Sequence, residues 1–255
     1  MSKVLAVVNQ KGGVGKTTTG INLAASLAQA GRTVLLIDLD PQGNATVGSG
    51  ISKDGHQYTV YDVLLGTGKV RNAVVSTECG YDLIPANGDL AGAQVELIDQ
   101  IGREMRLRKA LKKLTKRYDY ILIDCPPSLN LLTVNALVAA DAVMIPMQCE
   151  YFALEGLTAL VSTIRKVREA LNPRLKIEGL LRTMFDRRNS LSSEVSEQLQ
   201  EHFGDKVYDT IIPRNVRLAE APSYGKPAMF YELNSTGAQA YLALASEIIR
   251  REEAA

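Results

Sequence analysis

Residues 9–18 read NQKGGVGKTT and stand between a short apolar run, residues 4–8, and a segment apolar at Ile21, Leu23, Ala24, Leu27 and Ala28. The run is brief and partly β-branched, the pattern of a fully buried strand. The spacing that follows is helical over 16–30, with Gly31 suited to the helix end. Glycines at a strand-to-helix junction let the backbone turn tightly and aim several N–H groups at one anion. The helix N-terminus adds its own partial positive charge. A tight turn alone has no use for the closing Gly-Lys-Thr. With it, the segment is a phosphate loop in which Lys16 reaches the β- and γ-phosphates and the Thr17 hydroxyl binds Mg2+.

The rest of the chain repeats the alternation. Strand-like runs are expected at 33–37, 81–85, 120–123, 142–146, 177–183 and 207–212. Helices are expected at 91–117, 129–139, 154–171, 190–203 and 235–251, and 40–76 is the least regular stretch. This order predicts an α/β fold: one P-loop domain over 1–255 with a mainly parallel, doubly wound sheet flanked by helices. The formal net charge is +1, with 46% apolar and 22% charged residues. That excludes a disordered charged tail and leaves any nucleic-acid contact to a local basic patch. Cys79, Cys125 and Cys149 are odd in number and lack CxxC spacing, so they read as reduced thiols of a cytoplasmic protein. Cys125 reads as a small buried filler. No stretch has the form of an export signal or a bilayer-spanning segment.

Two acidic stations end predicted strands. LLIDLDPQGN places Asp38 and Asp40 after the second, and YILIDCPPS places Asp124 after a later one. Carboxylates there face the edge where open α/β sheets bind ligands. Asp124 has the Walker B pattern, which delivers a carboxylate to the Mg2+ shell through water. A carboxylate near the γ-phosphate can position or deprotonate the attacking water. Asp38 reads as a strand-end cap or as a support for that machinery.

The loop departs from the common GxxxxGKT pattern, because Gln10 stands at the first glycine and Lys11 follows it. In this KGGVGKT form it resembles the deviant Walker A ATPases, the group that includes the ParA and MinD proteins. The stretches IPMQCEYFALEG (145–156) and IPRNVRLAEAPS (212–223) extend the resemblance along the whole chain, to the chromosomal ParA/Soj branch.

The resemblance implies an ATPase whose cofactors are ATP and Mg2+. It implies a homodimer that sandwiches two ATP molecules, with Lys11 crossing to the partner's phosphates. Lys11, Lys16 and Asp40 become the catalytic residues. Lys11, Gly12, Gly13, Val14, Gly15, Lys16, Thr17 and Thr18 hold the nucleotide, with Pro213 and Asn215 at adenine, and Thr17 and Asp124 serve the metal. Residues 126–128, Pro-Pro-Ser, become a switch that senses the γ-phosphate.

The resemblance further implies non-specific binding of double-stranded DNA through Arg188 and Arg217, joined by Arg187 and Arg182. A ParB-type partner would stimulate hydrolysis and drive chromosome or plasmid segregation on the bacterial nucleoid. A basic run (Arg103, Arg106, Arg108, Lys109, Lys112, Lys113, Lys116, Arg117) reads either as a solvated helix face or as further phosphate contacts, with Ile101, Met105, Leu107, Leu111 and Leu114 on the opposite side.

The alternative is a MinD-like membrane-cycling ATPase for division-site placement. The mixed-charge ending EIIRREEAA argues against its basic amphipathic anchor, so no membrane partner is expected. The larger plasmid proteins carry an N-terminal helix-turn-helix domain. With eight residues before Asn9, none is expected here.

Overall fold

The computed structural model describes residues 2–114 and 117–254. Among them seven strands form one sheet: β1 (Lys3–Val7), β2 (Val34–Asp38), β3 (Val75–Ser76), β4 (Asp82–Ile84), β5 (Tyr120–Asp124), β6 (Ala142–Gln148) and β7 (Lys176–Thr183). Their order is β3-β4-β2-β5-β1-β6-β7, and every pairing is parallel except β3 with β4. The helices are α1 (Lys16–Gln29), α2 (Asn44–Gly48), α3 (Val60–Leu65), α4 (Leu90–Glu96), α5 (Arg106–Leu111), α6 (Leu131–Ala139), α7 (Ala153–Ala170), α8 (Ser190–Phe203), α9 (Val216–Glu220), α10 (Ala228–Tyr231) and α11 (Thr236–Glu253).

The central strands are buried on both faces, which explains why they read as continuous apolar runs. Successive side chains still alternate. Leu5, Leu36, Leu122 and Met144 pack with α1 and α11, whereas Ala6, Ile37, Ile123 and Ile145 pack with the helices from α3 to α8. The connections after β1 and β6 leave in opposite directions, so a crevice opens at the carboxyl ends of these neighbours.

Two expected elements differ. Residues 207–212 are not a strand. Tyr208 N–H donates to Leu180 O (3.1 Å) and Ile212 N–H to Arg182 O (2.9 Å), but between them the chain turns to α11. There the Glu247 carboxylate accepts from Asp209 N (2.9 Å) and Thr210 N (2.9 Å). A buried side chain thus takes the donors that a continuous ladder would use. Arg251, one turn on, pairs with Glu247 at 2.7 Å and lies over the Tyr208 ring. Burial raises the Glu247 pKa, but the Thr210 and Asp209 hydrogen bonds and Arg251 outweigh it and hold the carboxyl below its usual range. Glu247→Ala leaves two amides without their acceptor and strips Arg251 of its carboxylate partner, though its bonds to Asp205 O and Val207 O remain. It is expected to cost about 3 kcal/mol, a fall in Tm of about 6–12 °C in thermal unfolding.

The expected helix over 91–117 breaks as well. Gly102, at φ +69°, reverses the chain, and helical turns resume only at Arg103. Asn135 of α6 secures the restart by accepting from Leu107 N (3.2 Å) and donating to Arg103 O (2.9 Å). Ile101 is therefore 98% exposed instead of joining the core, while Leu107, Leu111 and Leu114 are buried as expected. Arg103 and Arg106 are turned back onto Ile98 O and the Gln100 side chain. The basic run does not form one helical face, and Lys116 lies outside the described residues.

Candidate nucleotide site

The phosphate loop follows β1 and is braced by β6 and β7. Asn9 donates to Pro146 O of β6 (2.8 Å) and accepts from Lys11 N (3.0 Å), and Thr183 of β7 donates its hydroxyl to Val14 O (2.8 Å). Gly13 and Gly15 sit at φ +73° and +85°, where a side chain is strained. A Cβ at Gly12 or Gly13 would meet open space, so the loop presents bare backbone outward. Thr17 and Thr18 occupy the first turn of α1.

The two lysines behave differently. Lys16 is buried, and its Nζ donates to Lys11 O at 3.1 Å, across the loop's concavity. Burial lowers its pKa, while the Asp124 carboxylate opposes that shift. Lys11 points outward, its side chain 54% exposed and ion-paired with Glu150.

Asp38 and Asp124 face each other in register on β2 and β5, and both are fully buried. Asp38 accepts from Thr46 N (2.8 Å), Thr46 Oγ1 (2.7 Å) and Asp40 N (3.2 Å). Burial raises its pKa to about 6, with the Thr46 and Asp40 hydrogen bonds opposing. Asp38 therefore supports the turn that carries Asp40. Asp40 is 9% exposed and accepts from Gln42 N at 2.9 Å.

Neither oxygen of Asp124 has a hydrogen-bond partner among the described residues. Its pKa is pushed well up by burial and by Asp38, against the Thr17 hydroxyl and the Lys16 charge. A buried carboxylate without donors, beside a threonine hydroxyl, suits a hydrated magnesium ion. Cys125 is buried too, its thiol raised by desolvation and by Asp124.

A cleft of about 370 Å³ opens beside the loop and brings Gly15 and Thr18 together with Pro213 and Asn215. The Asn215 amide caps α9 by accepting from Leu218 N (3.3 Å) and donates to Thr236 Oγ1 (2.8 Å). Met184, the only non-glycine residue with positive φ among those described, lines the same cleft and contacts Gln148. Neither Met184 nor Gln148 carries a sequence signal beyond its place at a strand's carboxyl end.

Arg188 is 90% exposed and chelates Asp186 through Nε (3.0 Å) and Nη2 (2.9 Å). That contact holds the Asp186 carboxyl at about 2. Arg217 pairs with Glu220 at 2.8 Å. Arg187, Arg188 and Arg214 line a second cavity of about 590 Å³, and Arg214 was not anticipated. Arg182 does not join them. It is buried, donating to Ser196 Oγ (2.9 Å) and Tyr208 O (2.6 Å).

Together the phosphate loop, the buried carboxylates and the doubly wound sheet define a P-loop ATPase. The family described as "AAA domain" matches residues 2–177. The chromosome partitioning protein ParA of Caulobacter vibrioides is 58% identical over 253 residues, covering 98% of this chain and 95% of that protein. The sporulation initiation inhibitor protein Soj of Bacillus subtilis is 55% identical over 249 residues, covering 97% and 98%. Among solved structures, cobyrinic acid a,c-diamide synthase from Mycobacterium smegmatis with bound ATP analog and magnesium has a TM-score of 0.87 at 41% identity, covering 99% and 96%. The chain belongs to the ParA/Soj family of chromosome-partitioning ATPases.

Proposed function

We propose that ATP joins two copies of this chain face to face, that the dimer holds DNA without sequence preference, and that hydrolysis releases it. The observation that carries this reading is the contrast between the two loop lysines. Lys16 turns into its own loop and Lys11 turns out of it. A cation at the lip of a phosphate site is suited to the phosphates of a second copy. Magnesium, when bound, would neutralise charge between the β- and γ-phosphates, with Thr17 and Asp124 holding it. Asp40 orients the attacking water. Pro213 and Asn215 border the base.

Arg188 and Arg217 are the proposed DNA contacts, with Arg187 and Arg214 beside Arg188. Both arginines are exposed and their carboxylate partners are partly so, so a duplex phosphate can replace them at small cost. Two subunits double the phosphate contacts, and affinity rises steeply with contact number. DNA binding becomes a readout of the γ-phosphate, which suits segregation on the nucleoid. A ParB-type protein is the proposed accelerator.

The membrane alternative finds less support. The apolar residues of α11 (Tyr241, Leu244, Ala245, Ile248) are buried against the core, leaving no apolar stripe there for a bilayer. No helix among the described residues is long and apolar enough to cross a membrane.

Co-sedimentation with random-sequence duplex DNA tests the proposal, with anionic liposomes in parallel. Protein should pellet with DNA in ATP but not in ADP, and Lys11→Ala should abolish pelleting. Pelleting of Lys11→Ala at the wild-type level would refute the dimer reading. Pelleting with liposomes and not with DNA would favour the membrane one.

A further inference from the structure

We infer that Glu150 is the resting partner of Lys11, a positioning residue that must release it before the lysine can reach a second copy's phosphates. This rests on the dimer reading above. Lys11 leaves the sheet after β1 and Glu150 after β6, and these strands are hydrogen-bonded neighbours. The ion pair therefore joins the two loops that border the crevice.

Both backbones are held in place. Lys11 N–H donates to Asn9 Oδ1 (3.0 Å), and Lys11 O accepts from Lys16 Nζ (3.1 Å). Glu150 N–H donates to Gln148 O (3.0 Å), and Glu150 O accepts from Ala153 N (2.9 Å) at the start of α7. Only the two side chains are free to part, and they are 54% and 48% exposed. A lysine has one ammonium. It cannot stay on Glu150 and also extend across an interface.

The carboxylate thus opposes closure, and the opposition is modest. An exposed ion pair is worth about 1.5- to fivefold in an equilibrium constant. A two-fold dimer breaks two of them, so Glu150 should weaken ATP-dependent association by about two- to 25-fold. Such a brake keeps Lys11 ordered without trapping it. It also keeps an unpaired cation off the surface of the free subunit.

The test is sedimentation-equilibrium measurement of dimerisation with a non-hydrolysable ATP analogue and Mg2+. Four proteins are compared: wild type, Glu150→Gln, Lys11→Ala and the double variant. Glu150→Gln should tighten the dimer by a factor within the stated range. The double variant should dimerise no better than Lys11→Ala, because the glutamate acts only through the lysine. The inference is overturned if Glu150→Gln associates no more tightly than wild type, or if its gain persists without Lys11. If Lys11→Ala alone dimerises like wild type, the sandwich reading itself fails, and this inference with it. A defect in Glu150→Gln beside a normal Lys11 dependence removes this inference only.

Discussion

Asp40→Ala is expected to bind ATP and stay on DNA while hydrolysing ATP at least about 100-fold more slowly than wild type. Asp40 follows β2 at the sheet edge, and its carboxylate is fixed by the Gln42 amide. The Asp38 carboxylate accepts its backbone N–H, so the turn stands independently of the Asp40 side chain. The substitution should therefore remove the group near the attacking water and leave the phosphate loop intact. Single-turnover phosphate release measures the first effect. Dissociation from immobilised DNA after ATP washout measures the second. A variant that leaves DNA at the wild-type rate would show that hydrolysis is not the release step.

Lys16→Ala should lose ATP binding itself, by about 100-fold or more in affinity. Its ammonium is buried in the loop, donates to Lys11 O and lies within the field of Asp124. Burial disfavours its charge, and a phosphate beside it would add a charge-assisted contact that favours it. Thermal unfolding with and without Mg-ATP reads the loss directly. At about 100 times its dissociation constant, a ligand adds about 2.7 kcal/mol to the wild type, and the variant should gain almost none. An equal ligand-induced shift in both proteins would remove Lys16 from the binding set.

The contrast between these substitutions follows from how the two residues are held. Lys16 begins α1, so its direction is set by the helix that the glycine loop launches. That much is legible in the spacing of residues 4–28. Asp40 stands on an irregular turn whose shape depends on Asp38, Thr46 and Ala86, which meet only in three dimensions. The motif names Asp40 but not its supports, and the choice between capping and supporting roles for Asp38 could be made only there.

The misread elements have the same origin. Residues 207–212 have strand composition, yet Glu247 lies far along the chain and captures their amides. Residues 91–117 have enough apolar and basic residues for a long helix, yet Gly102 and Asn135 divide it. Arg182 stands among arginines in sequence but faces Ser196 and Tyr208 inside the fold.

The sequence by itself determined the central strands, the phosphate loop and the strand ends that carry the carboxylates, because each depends on local periodicity and on short-range backbone geometry. Tertiary structure decided which charged groups are buried, paired or free. Lys11 rests on Glu150, Arg188 on Asp186, and Asp124 has no hydrogen-bond partner among the described residues. Those relations depend on which strands are neighbours, and strand order is set by packing across the whole sheet.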